Sequence, residues 1–136
     1  MLFYAIFTTV ISEMAKRILI IDDDLYIREL YEEVLKSAGY EVMGAADGKD
    51  GLNKIAEGGF DLILLDIMMP QVDGLQVLQT LKKTPPKKSN GKIILLTNLS
   101  HDPTIQEGLN AGAATYLIKA DVTPDQLVGK IKELLI

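Results

Sequence analysis

Four consecutive apolar residues, Leu62-Ile63-Leu64-Leu65, followed at once by Asp66, constrain this chain more than any other stretch. A strand with one wet face alternates polar and apolar side chains. A run without alternation suits a strand covered on both faces, the kind found in parallel sheets between helices. Met69-Pro70 and Asp73-Gly74 supply two turn signals that end the strand and prepare a helix. An acid at the carboxyl end of such a strand stands where open α/β sheets place their chemistry.

The same pattern recurs along the chain. Arg17-Ile18-Leu19-Ile20-Ile21 is another unalternating run, closed by Asp22-Asp23-Asp24. From Leu25 to Ala38, the residues Ile27, Leu30, Tyr31, Val34, Leu35 and Ala38 repeat at helical spacing. Asp24 can cap that helix and Gly39 can end it. Tyr40 to Ala45 reads as a strand, Asp47-Gly48 as a turn and Leu52 to Glu57 as a short helix. Gly74 to Lys83 reads as a helix that Pro85-Pro86 prevents from continuing. Lys92 to Leu96 is a fourth strand ending in Thr97, and Asp102-Pro103 opens a helix to about Asn110. Thr115 to Ile118 is a fifth strand, ending at Lys119. Thr123-Pro124-Asp125 then opens the last helix with a capping hydroxyl, a proline at the first helical position and an acid in the first turn. Five β-α units imply a parallel sheet with helices on both faces. With right-handed crossovers, the expected fold is a flavodoxin-like, doubly wound (βα)5 sandwich in strand order 2-1-3-4-5.

Composition narrows the function. A net charge of −5 argues against a general binder of nucleic acid or anionic membranes. Lys82-Lys83 and Lys87-Lys88, beside Pro85-Pro86, read as a solvated loop. The absence of cysteine excludes disulfides, thiolate metal sites and cysteine nucleophiles, and suits a reducing cytoplasm. Leu2 to Ile11 is apolar apart from Thr8 and Thr9. That run is too short for a bilayer span of ~20 residues, so no membrane insertion is expected. It lacks a preceding basic residue and a small-residue cleavage site, so a secretory signal is not expected either. Residues 1–15 are expected to be an apolar N-terminal extension, an upstream start or added segment around Met14-Ala15-Lys16. Residues 16–136 are expected to be one domain, with no output domain after it.

In the expected strand order the first and third strands are neighbours, so Asp22 and Asp23 emerge beside Asp66. Carboxylates ~4–6 Å apart repel by about 1 kcal/mol per pair in bulk water, and by ~4 at the effective dielectric of a partly buried site. Such a cluster must take up protons, a cation or both. Oxygen ligands without histidine or cysteine favour Mg²⁺ with retained waters. Lys119, ending the fifth strand, adds an ammonium, and Thr97, ending the fourth, adds a hydroxyl. Carboxylate, divalent cation, ammonium and hydroxyl together make a site for a phosphoryl group in transfer.

From residue 16 to residue 136 the chain resembles the receiver domains of two-component response regulators, of the single-domain chemotaxis and sporulation-relay type. The resemblance is carried by Ile20-Ile21-Asp22-Asp23-Asp24, by Leu65-Asp66-Ile67-Met68-Met69-Pro70 with Asp73-Gly74, by Leu96-Thr97 and by Tyr116-Leu117-Ile118-Lys119. It implies that Asp66 accepts a phosphoryl group from a sensor histidine kinase or a histidine phosphotransfer protein. Asp23 and Asp66 would bind Mg²⁺ (or Mn²⁺) directly, Asp22 through water, and the Met68 backbone carbonyl would complete the protein ligands. Lys119 would pair with one phosphoryl oxygen and Thr97 with another. Tyr116 would change rotamer with Thr97 and alter the surface of helix four, strand five and helix five. The resemblance implies a signalling module rather than an enzyme, its phosphoryl transfer and loss being self-catalysed. A downstream protein target is expected but not identified.

Two positions depart from the family pattern. Ala120 follows the lysine where receivers usually carry proline with a cis bond, which for alanine would cost ~2.5–4 kcal/mol, so the shape of Ala120 to Val122 is open. Asn98 stands after the threonine where a small residue is usual. With Met68, it is placed to control access to the phosphoryl site and so its lifetime. Two other functions compete: a phosphorylation-independent receiver-like interaction module, and a small aspartyl-phosphate phosphatase using Asp22 and Asp24. His101, the single histidine, reads as a solvated loop residue beside Asp102.

Overall fold

Each unalternating run becomes a strand of one sheet, because only a two-sided helical cover can keep it dry. The computed structural model describes residues 15–99 and 101–136. The expected extension at residues 1–15 falls, but for its last residue, outside them. In chain order the elements are β1 (Arg17–Ile21), α1 (Leu25–Ser37), β2 (Glu41–Ala45), α2 (Gly48–Glu57), β3 (Leu62–Asp66), α3 (Gly74–Lys83), β4 (Lys92–Thr97), α4 (Pro103–Asn110), β5 (Thr115–Ile118) and α5 (Pro124–Leu134). A 3-10 turn, Lys119–Asp121, separates β5 from α5. All strand pairs are parallel, in the expected order β2-β1-β3-β4-β5.

Alternate strand residues feed two cores. Leu19, Ile21, Ile63, Leu65 and Leu95 pack with Ile55, Val77, Leu78 and Ile105 from α2, α3 and α4. Ile18, Ile20, Leu62, Leu64 and Leu117 pack on the opposite face with Tyr31 and Leu35 of α1 and Leu127 and Ile131 of α5. Leu62 to Leu65 are all 0% exposed, the observation that the sequence pattern required.

The register carries the strand ends to one edge. Ile21 lies opposite Leu65, which puts the next residue, Asp22, level with Asp66. Asp66 lies opposite Leu96, and Thr97 opposite Ile118, one residue before Lys119.

The helix starts follow their caps. The Asp24 side chain accepts from Ile27 N, and Thr123 forms a capping box with Gln126. Expectation and structure differ at α2, which begins at Gly48 rather than Leu52. Asp47 there is a cap, accepting from Asp50 N at 2.7 Å, and not merely part of a turn. Among the described residues no helix is long and apolar enough to cross a membrane.

Candidate functional site

The acids gather because three consecutive backbone choices place them. The Asp22 N–H donates to the Ala45 carbonyl at 3.1 Å, which extends the β1–β2 pairing by one residue. The chain then turns into α1, with Asp22 Oδ1 accepting from Asp24 N at 3.0 Å. Beyond β3, Ile67 N donates to Leu96 O at 3.0 Å and Gly74 N to Ile67 O at 2.9 Å, closing the loop back onto the strand. Gly74 is needed for that closure, since a Cβ there would stand 2.6 Å from the Asp66 carbonyl oxygen. Within the loop Gln71 adopts a φ of 66°, a left-handed conformation that side chains disfavour. Glutamine at that position carries no turn signal, so the pattern did not announce it.

One oxygen from each of Asp22, Asp23 and Asp66 lies within 4.8 Å of the others. Asp22 is 0% exposed and Asp66 5% exposed, while Asp23 faces solvent. Lys119 Nζ lies 2.7 Å from Asp22 Oδ2 and 3.3 Å from Asp66 Oδ2. The first contact is an ion pair without good hydrogen-bond angles, because Asp22 Oδ2, though fully buried, has no hydrogen-bond partner. Asp66 Oδ1 accepts from Met68 N at 3.1 Å.

One ammonium therefore serves a cluster of three carboxylates and touches two of them. Burial, and then the charge of Asp22, push the Asp66 carboxyl up from 3.8 to about 7 against the opposing pull of Lys119 and Met68 N–H. Burial works against the Lys119 ammonium too. Its close contact with Asp22 and the attraction of both acids prevail, and its pKa stands above the usual lysine value. Tyr31, which its spacing marked only as a core residue, is close enough to be electrostatically coupled to the site. Burial raises its hydroxyl pKa, Lys119 lowers it and Asp22 raises it further.

The donor set fits a small hard divalent cation. It is all oxygen, it carries excess negative charge, and it holds a buried oxygen without a hydrogen bond.

The remaining expected residues sit around this centre. Thr97 is 2% exposed, and its hydroxyl donates to Leu99 O at 3.3 Å and accepts from Leu99 N at 3.2 Å. Asn98 is exposed beside it, Met68 is 66% exposed, and Tyr116 on β5 is 38% exposed. The described residues contain no cis peptide bond, so Lys119–Ala120 is trans and runs directly into the 3-10 turn. A cleft of about 480 Å³ lined by Ile67, Pro70, Leu75 and Thr104 lies alongside and includes none of Asp22, Asp23 and Lys119.

Comparison with known proteins agrees with the topology. Residues 18–132 match the family described as response regulator receiver domain. A relative from Cyanophora paradoxa, named "Probable transcriptional regulator ycf27", is 39% identical over 120 residues, covering 88% of this chain and 48% of its own length. The chain thus spans about half the length of that curated relative. A CheY-like response regulator receiver domain protein from Methanospirillum hungatei superposes with a TM-score of 0.78 at 40% identity, over 89% of this chain and 94% of that one. The response regulator TrrA of Thermotoga maritima, crystallised in complex with Mg(2+)-BeF, superposes with a TM-score of 0.72 at 40% identity, over 88% of this chain and 98% of that one. A family match over most of the chain, on a five-stranded sheet in the order 2-1-3-4-5, places this chain in the response regulator receiver domain family.

Proposed function

We propose that this receiver accepts a phosphoryl group on Asp66 from a phosphohistidine of a sensor histidine kinase or a histidine phosphotransfer protein. The observation that carries the reading is the convergence of Asp22, Asp23 and Asp66 within 4.8 Å, with Lys119 Nζ against two of them. The complex of a 40% identical relative with Mg(2+)-BeF supports it further.

Asp22, Asp23, Asp66 and the Met68 carbonyl would hold Mg²⁺ or Mn²⁺. Bound there, the cation would neutralise charge on the carboxylates and on the transferring phosphoryl oxygens. An Asp66 oxygen attacks the phosphorus while the donor's P–N bond breaks. The leaving imidazole nitrogen keeps the electron pair and takes a proton from solvent, and Asp66 becomes an acyl phosphate. Attack needs the ionised carboxylate, so lowering the Asp66 pKa is part of the chemistry. Lys119 donates to a phosphoryl oxygen in exchange for its contact with Asp66. The buried Asp22, paired with Lys119, is poorly placed as a nucleophile, which disfavours the phosphatase reading.

Incubation with acetyl phosphate and Mg²⁺, read by intact mass, should show one added phosphoryl group that EDTA prevents. A parent protein that gains no adduct would leave the phosphorylation-independent module as the better reading.

Signalling would begin at Thr97. Its hydroxyl must leave Leu99 to reach a phosphoryl oxygen, and the vacated space lets Tyr116 turn inward from the surface. Thr97→Val keeps the shape and removes both bonds. We expect it still to take up the phosphoryl group but to lose the amide shifts that phosphorylation causes at Tyr116. Shifts of parental size in the variant would remove Thr97 from the coupling.

A further inference from the structure

Arg28, on the first full turn of α1, does more than continue the helix. Its backbone N–H donates to Asp24 O at 2.9 Å, as helical geometry requires. Its side chain doubles back, and one guanidinium nitrogen donates to the Asp22 carbonyl at 2.7 Å. The Asp22 residue is thus held at its N–H by β2, at its side chain by Asp24 and at its carbonyl by α1.

That carbonyl belongs to the rigid peptide plane linking Asp22 to Asp23. Fixing the plane with a charge-assisted hydrogen bond fixes the direction in which the exposed Asp23 leaves the chain. The Arg28 stem runs past bare backbone in β2. A Cβ at Gly44 would stand 3.1 Å from Arg28 Cδ and would meet the Glu32 carboxylate.

Resting on the reading of Asp22 and Asp23 as cation ligands, we propose that Arg28 is a positioning residue that holds the Asp22–Asp23 peptide in its metal-binding orientation. A guanidinium acting only as a counter-charge would have the opposite effect. It would repel an arriving cation, so its removal would tighten binding. Acting as a strut, its removal loosens binding.

The test uses the full chain and two direct measurements of binding: Mn²⁺ by counting the free ion in electron paramagnetic resonance, and Mg²⁺ by calorimetry. Arg28→Gln should weaken both about tenfold, the loss typical when a partner that orients a metal ligand is removed. In the metal-free protein the same variant should exchange its Asp23 and Asp24 amide protons faster. Arg28→Lys should fall between parent and Arg28→Gln. Gly44→Ala keeps every charge, drives the Glu32 carboxylate from its place and presses on the Arg28 stem, and should weaken binding in the same direction. It also serves if Arg28→Gln fails to fold.

Equal or tighter binding in Arg28→Gln or in Gly44→Ala, with unchanged amide exchange, would overturn the positioning role and leave the site reading intact. A parent protein that binds neither ion would overturn the site reading and the inference together.

Discussion

Asp66→Asn is expected to abolish phosphoryl uptake and, in the same step, to make the metal-free domain more stable at neutral and alkaline pH. The first effect follows because the amide nitrogen and oxygen of asparagine cannot form the acyl phosphate. The second follows from the displaced carboxyl. Asp66 titrates at 3.8 in the unfolded chain and at about 7 in the fold, raised first by burial and then by Asp22. The folded state therefore binds the proton more tightly than the unfolded state.

For an acid whose pKa is raised by folding, the stabilising contribution is complete below the unfolded value and lost as pH rises through the folded one. The window runs from pH 3.8 to about 7. The full displacement corresponds to about 4 kcal/mol, opposed in part by the Lys119 ammonium. Urea denaturation with EDTA should find parent and variant nearly equal near pH 4. At pH 8 the variant should be more stable by roughly 2–4 kcal/mol. Saturating Mg²⁺ should stabilise the parent at pH 8 and close the gap, because the cation removes the same repulsion that asparagine removes. A parent as stable as Asp66→Asn at pH 8 without metal would mean that the cluster is not strained.

Lys119→Met carries the second large effect. The lysine side chain is 9% exposed and pairs with a fully buried carboxylate on one side and a nearly buried one on the other. Methionine keeps much of the volume and removes the only cation paired with either side-chain carboxylate among the described residues. Breaking a buried pair in this way costs about 3–5 kcal/mol, because the surviving charge is left without compensation. Here the cost should grow with pH. Below neutrality Asp66 escapes by taking up a proton, its affinity for that proton being raised further once Lys119 is gone. Only above that raised pKa are both acids charged and the loss complete. Adding Asp22→Asn should recover part of the stability, so the two changes should not add. Phosphoryl uptake should fall sharply in Lys119→Met and stay low in the double variant, since neither offers a donor to the phosphoryl oxygen. Full additivity would show that Asp22 and Lys119 do not depend on each other.

Much of this was legible in the order of residues. The unalternating runs at Ile18–Ile21 and Leu62–Leu65 announced a sheet covered on both faces, and the caps at Asp24, Asp102 and Thr123 announced three helix starts. Asp22, Asp23, Asp66, Thr97 and Lys119 were legible as a set because each closes a strand run. In a parallel sheet all such ends lie at one edge. The start of α2 was misplaced by four residues, since Asp47-Gly48 serves equally as a turn and as a cap followed by a first helical residue. Arg28 was not singled out, and Tyr31 was read only as a core residue, for a different reason. Their spacing fits an ordinary amphipathic helix, and nothing local tells which way a long side chain will turn.

Sequence by itself thus determined the sheet, its order and the identity of the residues at its carboxyl edge, because periodicity and turn chemistry act over a few neighbours. Tertiary structure alone decided their energetic state. It buried Asp22 completely, set Lys119 between two acids, lifted Asp66 to about 7, tied the Thr97 hydroxyl to Leu99 and aimed Arg28 at the Asp22 carbonyl. Burial and charge separation depend on distances between residues far apart in the chain, such as the 53 positions from Asp66 to Lys119. Those distances exist only once the strands have paired.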